Sequence, residues 1–326
     1  MHAESIKNVK EAKLVAVCDI KEDRARDKAK KYGCSYYTDY KKMLDEANLD
    51  VVHICTPHYL HMPMILEAAK RKIDIISEKP MGLNPEQAKK EIAAAKKNKI
   101  TFGVIFQNRF NPGSQLVKGR IDDKSLGKLK AAKLVLTYHK PDSYYKKSDW
   151  KGRLATEGGG VVIDQAIHYL DIVRWLIPSP IKYVEAHVSE RMHTFIDVED
   201  SAEGIVMFKN GFYLCFYLIN SYSFDDDPFI DIDCEKAKVR IVKDSAHIRY
   251  NNGRKEDAKP RSHEYIDYGD GVRDYWGYCH FNEIRDFYKS LKEGKKPAVT
   301  AEDAFKTQQL VWAIYESSKR GKRIYL

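Results

Sequence analysis

The chain reads as an α/β domain on a doubly wound parallel sheet, followed by an α+β domain with an open, mostly antiparallel sheet. Three observations carry that reading. From Met1 to about Ile100, short apolar runs alternate with helical stretches, the pattern of parallel strands flanked by helices. Beyond Pro180 the sequence is mostly short strands, with an Asn210-Gly211 hairpin signal between two of them. Between these halves lies Gly158 to Asp171, in which three glycines run into an apolar helix.

Taken in order, His2 to Val9 is the tail of a helix. Leu14 to Cys18 is a buried strand ending at Asp19, and Asp23 to Tyr32 is a charged helix. Tyr36 and Tyr37 lie in a short strand, and Tyr40 to Ala47 is helical. Val51 to Cys55 is a strand running into Thr56-Pro57, and Leu60 to Arg71 is a helix. Ile73 to Ser77 is a strand ending at Glu78-Lys79-Pro80; Pro85 to Asn98 is a helix and Thr101 to Phe106 a last strand. Gln107 to Pro112 leads into a further helix, Gly127 opens a strand region through Tyr138, and His139 to Trp150 is a Tyr- and Lys-rich loop. After the glycine motif come strands at Tyr183–Val188, Ala202–Phe208, Phe212–Ile219, Phe229–Cys234, Lys238–Val242 and Ala246–Tyr250. Amphipathic helices over His280–Leu291 and Ala301–Arg320 close the chain. The expected domains are 1–106 and 107–326, with the C-terminal helix packing back on the first.

The first half has the rhythm of a Rossmann sheet but begins with that sheet's first helix already under way. Its first strand and the G-x-G-x-x-G turn are not in this chain. In the usual strand order the missing strand is central, so its neighbours are left with unpaired backbone groups. Met1-His2-Ala3 therefore reads as an internal methionine just past the glycine loop. The alternative is a shortened protein in which the strand carrying Cys18 pairs directly with the one carrying Cys55. Asp19 stands where such a sheet holds the adenosine ribose, which favours NAD over NADP, although Lys21 and Arg24 lie close by.

Composition excludes several classes. The 326 residues, 43% hydrophobic and 32% charged, contain no apolar run long enough to span a membrane. The net charge of +9 comes from lysines spread along amphipathic helices, with no nucleic-acid-binding motif. The six cysteines form no C-x-x-C pair, so neither a zinc site nor a disulfide framework is indicated. A cytoplasmic location follows.

Asp164 and His168, four residues apart, share one face of a helix otherwise built of Val161, Val162, Ile163, Ile167, Leu170, Ile172, Val173 and Leu176. Polar side chains on such a helix need partners. Either they serve a ligand or they pair with each other and with neighbouring loops.

Glu78-Lys79-Pro80, Gln107-Asn108-Arg109-Phe110, and Gly158-Gly159-Gly160 with Asp164 and His168 stand in one order and spacing. Together they resemble the glucose-fructose oxidoreductase and inositol dehydrogenase (Gfo/Idh/MocA) family over essentially the whole chain. In that family the E-K-P lysine and the D-x-x-x-H pair meet in the cleft between the domains, facing the nicotinamide. The resemblance thus names Lys79, Asp164 and His168 as catalytic. Alcohol oxidation needs a base at the hydroxyl and stabilisation of charge on its oxygen; His168 suits the first role and Lys79 the second, while Asp164 orients the sugar hydroxyls or His168. Pro80 fits a fixed, cis-capable turn.

By position, Thr56 and Pro57 lie where the crevice of such a sheet opens. The resemblance adds His61 and Glu78 beside the ribose and nicotinamide; by position, Gln107 and Asn108 sit at the junction of nicotinamide and substrate, and Trp150 and Arg153 precede the glycine motif in a loop able to cover the ring. Asn108, Tyr138, Tyr145 and Lys151 are the candidate substrate residues, an aromatic and cationic mix suited to a polyhydroxylated ring. His53 reads as a core histidine. Gln165 departs from the small residue usual after the motif's Asp; similar versions occur in family members acting on nucleotide sugars. The reading is an NAD-dependent dehydrogenase of a sugar, cyclitol or sugar derivative, needing no metal, with no nucleic-acid or membrane partner. A homodimer or homotetramer is expected, because an open sheet leaves one face to cover. The alternatives are a non-catalytic ligand sensor or scaffold of the same fold, and an NADP-dependent carbonyl or imine reductase.

Overall fold

The computed structural model describes residues 1–260, Tyr268 and 274–326, with the side chains of 274–278 outside that description. In chain order the elements are α1 (His2–Asn8), β1 (Ala16–Cys18), α2 (Glu22–Tyr32), β2 (Ser35–Tyr37), α3 (Tyr40–Glu46), β3 (Val51–Ile54), α4 (His61–Lys70), β4 (Asp74–Ser77), α5 (Pro85–Asn98) and β5 (Phe102–Val104). Then come α6 (Pro112–Asp122), β6 (Leu129–Thr137), α7 (Asp142–Lys146), α8 (Leu154–Glu157), α9 (Ile167–Leu176), β7 (Ile181–Ser189), β8 (Ser201–Phe208), β9 (Tyr213–Ile219), β10 (Phe229–Cys234), β11 (Ala237–Val242), β12 (Ser245–Tyr250), β13 (Lys255–Ala258), α10 (Asp274–Lys292), α11 (Ala301–Arg320) and β14 (Ile324–Tyr325).

The chain forms two compact units, and the division is not a single cut after Phe106. The first unit holds Met1–Gln107 and His263–Ala304; the second holds Asn108–Ser262 and Phe305–Leu326. Hydrophobic burial explains the return of α10 to the first unit. Its Ile284 and Phe287 join Ile6 of α1, Val9 just after it, Ile76 of β4 and Ile105 in one buried cluster. In β4 the next residue back, Ile75, is also fully buried and points to the opposite face, so this strand is covered on both sides as a parallel sheet requires.

That sheet comes in two pieces, β1 beside β2 and the series β3-β4-β5, all parallel. Among the described residues no ladder joins β1 to β3. The direct pairing of the Cys18 and Cys55 strands is therefore not what the chain adopts: Ala16 to Cys18 bond only to Ser35 to Tyr37. Helix ends follow local chemistry. The Asn84 side chain accepts the Gln87 N–H at 3.0 Å with Pro85 in the first turn of α5, and Gly33 closes α2 at φ +65°.

The second unit is built on a nine-stranded sheet in the order β13-β12-β11-β10-β6-β9-β8-β7-β14. Every pairing is antiparallel except β6 with β9. Alternation along β9 is strict: Leu214, Phe216 and Leu218 are buried, whereas Tyr213, Cys215 and Tyr217 are exposed. Three elements go beyond the sequence reading. Strand β13 is short and charged and β14 is only two residues long, the 139–150 loop contains α7, and a fourth element, α8, stands just before the glycines. The helix after the glycines starts as a π-helical turn, Val162–Ala166, before continuing as α9.

Candidate active site

In the second unit the site grows from Gly158 to Gly160. Gly158 at φ +87° and Gly159 at φ +149° hold backbone that side chains rarely adopt. At Gly160 a Cβ would lie 1.8 Å from the Glu199 carbonyl oxygen, so the turn needs glycine for close approach. Glu199 clamps the turn. Its carboxylate accepts the N–H groups of Gly160 at 2.8 Å and Val162 at 3.0 Å, and the Tyr315 hydroxyl at 2.9 Å, while its carbonyl accepts Val161 N–H. Burial pushes the Glu199 carboxyl up to about 7 against the opposing pull of those N–H groups.

From this turn the chain buries Val161, Val162, Ile163, Ala166, Ile167 and Leu170 completely and leaves Asp164, Gln165 and His168 half-buried. The expected polar face therefore exists. Asp164 Oδ2 accepts three hydrogen bonds: from Tyr144 Oη at 2.8 Å, Lys151 Nζ at 2.7 Å and Gln165 Nε2 at 2.6 Å. Asn220 Nδ2 donates onward to Gln165 Oε1 and to Tyr145 Oη, both at 2.9 Å. Lys151 also lies 3.5 Å from Glu157 and over the rings of Tyr144 and Trp150. Burial works against its ammonium, but the charges of Asp164 and Glu157 outweigh it and hold the pKa above the ordinary lysine value. Burial first, then the charge of Asp164, raise the Tyr144 phenol well above its usual range. Both groups thus stay protonated and act as donors that fix Asp164.

One turn further along, Arg109 grips Asp171 through two 2.6 Å bonds, and Thr307 donates a third at 2.6 Å. Burial alone would raise the Asp171 carboxyl; Arg109 outweighs it and keeps the pair ionised. This pair ties the short 3-10 helix Gln107–Phe110 to α9.

Among the other residues expected here, Tyr138 meets the Tyr169 hydroxyl at 3.5 Å and lies under Lys140. Tyr145 is buried behind Tyr144, facing Asn220, and its neighbour Tyr144 is the tyrosine that reaches Asp164. Asn108 is half-buried, with its carbonyl accepting the Asn111 N–H. Trp150 is half-buried beneath Lys151, and Arg153 is exposed at the start of α8.

In the first unit the candidate cofactor residues lie where strands end. Asp19 follows β1, and its carboxylate accepts the Lys21 N–H at 2.9 Å. Thr56 and Pro57 follow β3. His61 is fully buried, with Nε2 2.9 Å from the Thr56 carbonyl and Nδ1 3.0 Å from that of Pro80. A neutral ring carries one N–H, so it bonds one carbonyl at a time; His61 positions the two turns rather than presenting itself to a ligand. Lys79 is half-buried and the Lys79–Pro80 bond is cis. Glu78 sits between His2 at 3.0 Å and His280 at 3.2 Å, which hold its carboxyl well below the usual range although burial opposes this. His53 is a bonded core histidine, linking His2 at 2.7 Å to Tyr288 at 3.0 Å.

These residues fit a nicotinamide dinucleotide at its two ends. Asp19 offers a half-exposed carboxylate for ribose hydroxyls. Gln107 Oε1 is buried with no hydrogen-bond partner among the described residues, an acceptor suited to an N–H brought by a ligand.

Comparison with known proteins agrees over the whole chain. Residues 1–106 match the GFO_IDH_MocA family model, described as an oxidoreductase family with an NAD-binding Rossmann fold, and residues 118–326 match its C-terminal alpha/beta domain. The chain is 26% identical over 337 residues to myo-inositol 2-dehydrogenase of Thermotoga maritima, covering 100% of this chain and 95% of that protein. It is 27% identical over 337 residues to scyllo-inositol 2-dehydrogenase (NAD(+)) of Bacillus subtilis, covering 100% and 92%. The WlbA dehydrogenase of Bordetella pertussis, solved with NADH and UDP-GlcNAcA, shares the fold with a TM-score of 0.85 at 24% identity, over 100% of this chain and 94% of that one.

Proposed function

Because the chain belongs to the Gfo/Idh/MocA oxidoreductase family, whose N-terminal domain is an NAD-binding Rossmann fold, we propose that it oxidises a ring carbon of a sugar, cyclitol or sugar derivative with NAD. The observation that carries this reading is the polar stripe Asp164-Gln165-His168 on a helical stretch otherwise buried from Val161 to Val173, with Asp164 held by Tyr144, Lys151 and Gln165. Such a stripe has the donors and acceptors to orient several hydroxyl groups at once.

NAD, when bound, supplies the hydride acceptor. The chain's own residues do the rest. His168 takes the hydroxyl proton onto a ring nitrogen as the C–H bond breaks, and Lys79 donates a hydrogen bond to the oxygen on which charge develops. Asp164, held through Oδ2 by Lys151, Tyr144 and Gln165, accepts from a neighbouring substrate hydroxyl. Asp19 accepts from the ribose hydroxyls and disfavours a 2′-phosphate; Gln107 accepts from the nicotinamide end.

The exposed side chains of Ile205, Tyr213 and Tyr217 on β8 and β9 support a second copy of the chain as partner for that sheet face. Among the described residues no helix is long and apolar enough to cross a membrane. The six free cysteines suit a reducing compartment, and we place the protein in the cytoplasm.

The test is NADH formation by the purified chain with NAD and a panel of myo-inositol, scyllo-inositol, free aldoses and UDP-linked uronic sugars. Turnover of a cyclitol or sugar, faster with NAD than with NADP, is the expected result. NAD binding without turnover of any polyol favours a ligand sensor of the same fold.

A further inference from the structure

Away from Asp164 and His168, the first unit gathers a second constellation, of which only Glu78 is also a candidate cofactor residue. We propose that His2 Nε2, Glu78 Oε1 and His280 Nε2 form a binding site for a divalent transition-metal ion of the zinc type. The three residues come from separate elements: the start of α1, the turn after β4, and α10. Their ligand atoms all lie within 4.8 Å of one another, with Glu78 Oε1 3.0 Å from His2 and 3.2 Å from His280. Tetrahedral zinc with bonds of about 2.0–2.1 Å sets its ligand atoms roughly 3.3 Å apart, close to the two Glu78 separations, while the two histidine nitrogens lie within 4.8 Å of each other.

The chemistry of the set matches. Two imidazoles and one carboxylate are the three protein ligands of an open zinc site, and this donor set selects zinc, copper or nickel over magnesium and calcium. Metal binding needs neutral imidazoles and an ionised carboxylate. The Glu78 side chain is 22% exposed, which leaves a route in and a position for water, whereas His280 is 4% exposed.

A second layer of residues fixes the tautomers. His2 Nδ1 lies 2.7 Å from His53 Nδ1, and His53 Nε2 lies 3.0 Å from the Tyr288 hydroxyl. With a metal on His2 Nε2, the ring proton sits on Nδ1 and is donated to His53, whose own proton on Nε2 is donated to Tyr288. Without metal, His2 Nε2–H donates to Glu78, and the same chain runs the other way, from Tyr288 through His53 to His2. Metal binding therefore reverses the hydrogen bonds from His2 through His53 to Tyr288 with no change in the number of protons on the two rings.

The proposal stands on the His2, Glu78 and His280 geometry and shares only Glu78 with the dehydrogenase reading. Its test is calorimetric titration of the tag-free full chain with Zn2+, and with Mg2+ for comparison. The expected result is one saturable Zn2+ per chain and no Mg2+ binding. His280→Asn and Glu78→Gln should each weaken Zn2+ by more than about 100-fold, and His53→Ala by about 10–100-fold, the usual cost of losing an outer-shell partner. His247→Ala, at an exposed histidine of the other unit, should change nothing. Cu2+ loaded substoichiometrically into the wild-type chain should show two imidazole nitrogens by electron paramagnetic resonance, a readout that needs no variant. Absence of saturable Zn2+ binding, full affinity in a folded His280→Asn chain, fewer than two imidazole nitrogens, or loss of binding in His247→Ala (an adventitious surface ion only) would each overturn the proposal.

Discussion

Lys151 Nζ lies 2.7 Å from Asp164 Oδ2, and the same oxygen also takes the Tyr144 hydroxyl and the Gln165 amide. Three donors on one carboxylate oxygen thus fix the orientation of the Asp164 side chain. A hydrogen bond to a charged group is worth about 1.5–3 kcal/mol. Lys151→Met should therefore lower kcat/KM by roughly 10–150-fold, and Lys151→Arg should recover part of it. Steady-state rates on the best polyol substrate check this; an unchanged Lys151→Met enzyme would show that the contact does not position Asp164 for turnover.

Glu199 should give the second unit a pH-dependent stability. A glutamate ordinarily titrates near 4.5, whereas burial holds Glu199 at about 7 in the fold. Below 4.5 both states carry the proton and the contribution is fully present. Between these values only the folded state keeps it, so stability falls as pH rises and the contribution is gone above 7. At 1.36 kcal/mol per pH unit the loss is roughly 3 kcal/mol. Urea unfolding at a series of pH values should show this slope in the wild type and a flat profile in Glu199→Gln over the same window.

Gly160→Ala should disrupt the turn, because the new Cβ would lie 1.8 Å from the Glu199 carbonyl oxygen, which is backbone and cannot swing away. Overpacking of this kind costs about 1–3 kcal/mol or more. Gly119→Ala in α6, where a Cβ meets nothing within 4 Å, should instead stabilise by roughly 0.5–1 kcal/mol. Thermal unfolding of the pair separates the steric account from a general intolerance of alanine; equal effects would refute it.

Arg109 and Asp171 are 3% and 1% exposed, so removing Arg109 leaves the buried Asp171 charge with only Arg174, 3.5 Å away, to offset it. Arg109→Met should destabilise by about 3–5 kcal/mol. The double variant Arg109→Met, Asp171→Leu should be less destabilised than Arg109→Met alone, as denaturant midpoints will show. A double variant at least as damaged as the single one would mean that the pair's charge is not what the fold depends on.

The chain's periodicities made most of this architecture legible. Pro85 to Asn98 and Ala301 to Arg320 coincide with their helices because their ends carry local signals, Asn84-Pro85 in one case and Gly321 in the other. Asp164 and His168 were visible as polar residues on an apolar helix. Their supporting shell was not: Tyr144 reaches Asp164 across 20 residues, and Asn220 reaches Gln165 across 55, so no local pattern encodes either contact. Glu199 is hidden for the same reason, since its role depends on a carbonyl packed against Gly160. Tyr144 and Tyr145 are adjacent and alike in type, and only the helical turn of α7 decides which one faces the carboxylate. The return of α10 to the first unit depends on apolar residues that any amphipathic helix carries.

The central claim is that His168 removes a proton during NAD-linked oxidation of a polyol. It is tested most directly by single-turnover NADH formation in wild type and His168→Asn, with NAD affinity measured on both. The expected result is a rate about 10²–10⁴-fold lower in the variant at unchanged NAD affinity. Equal rates in the two proteins would contradict it.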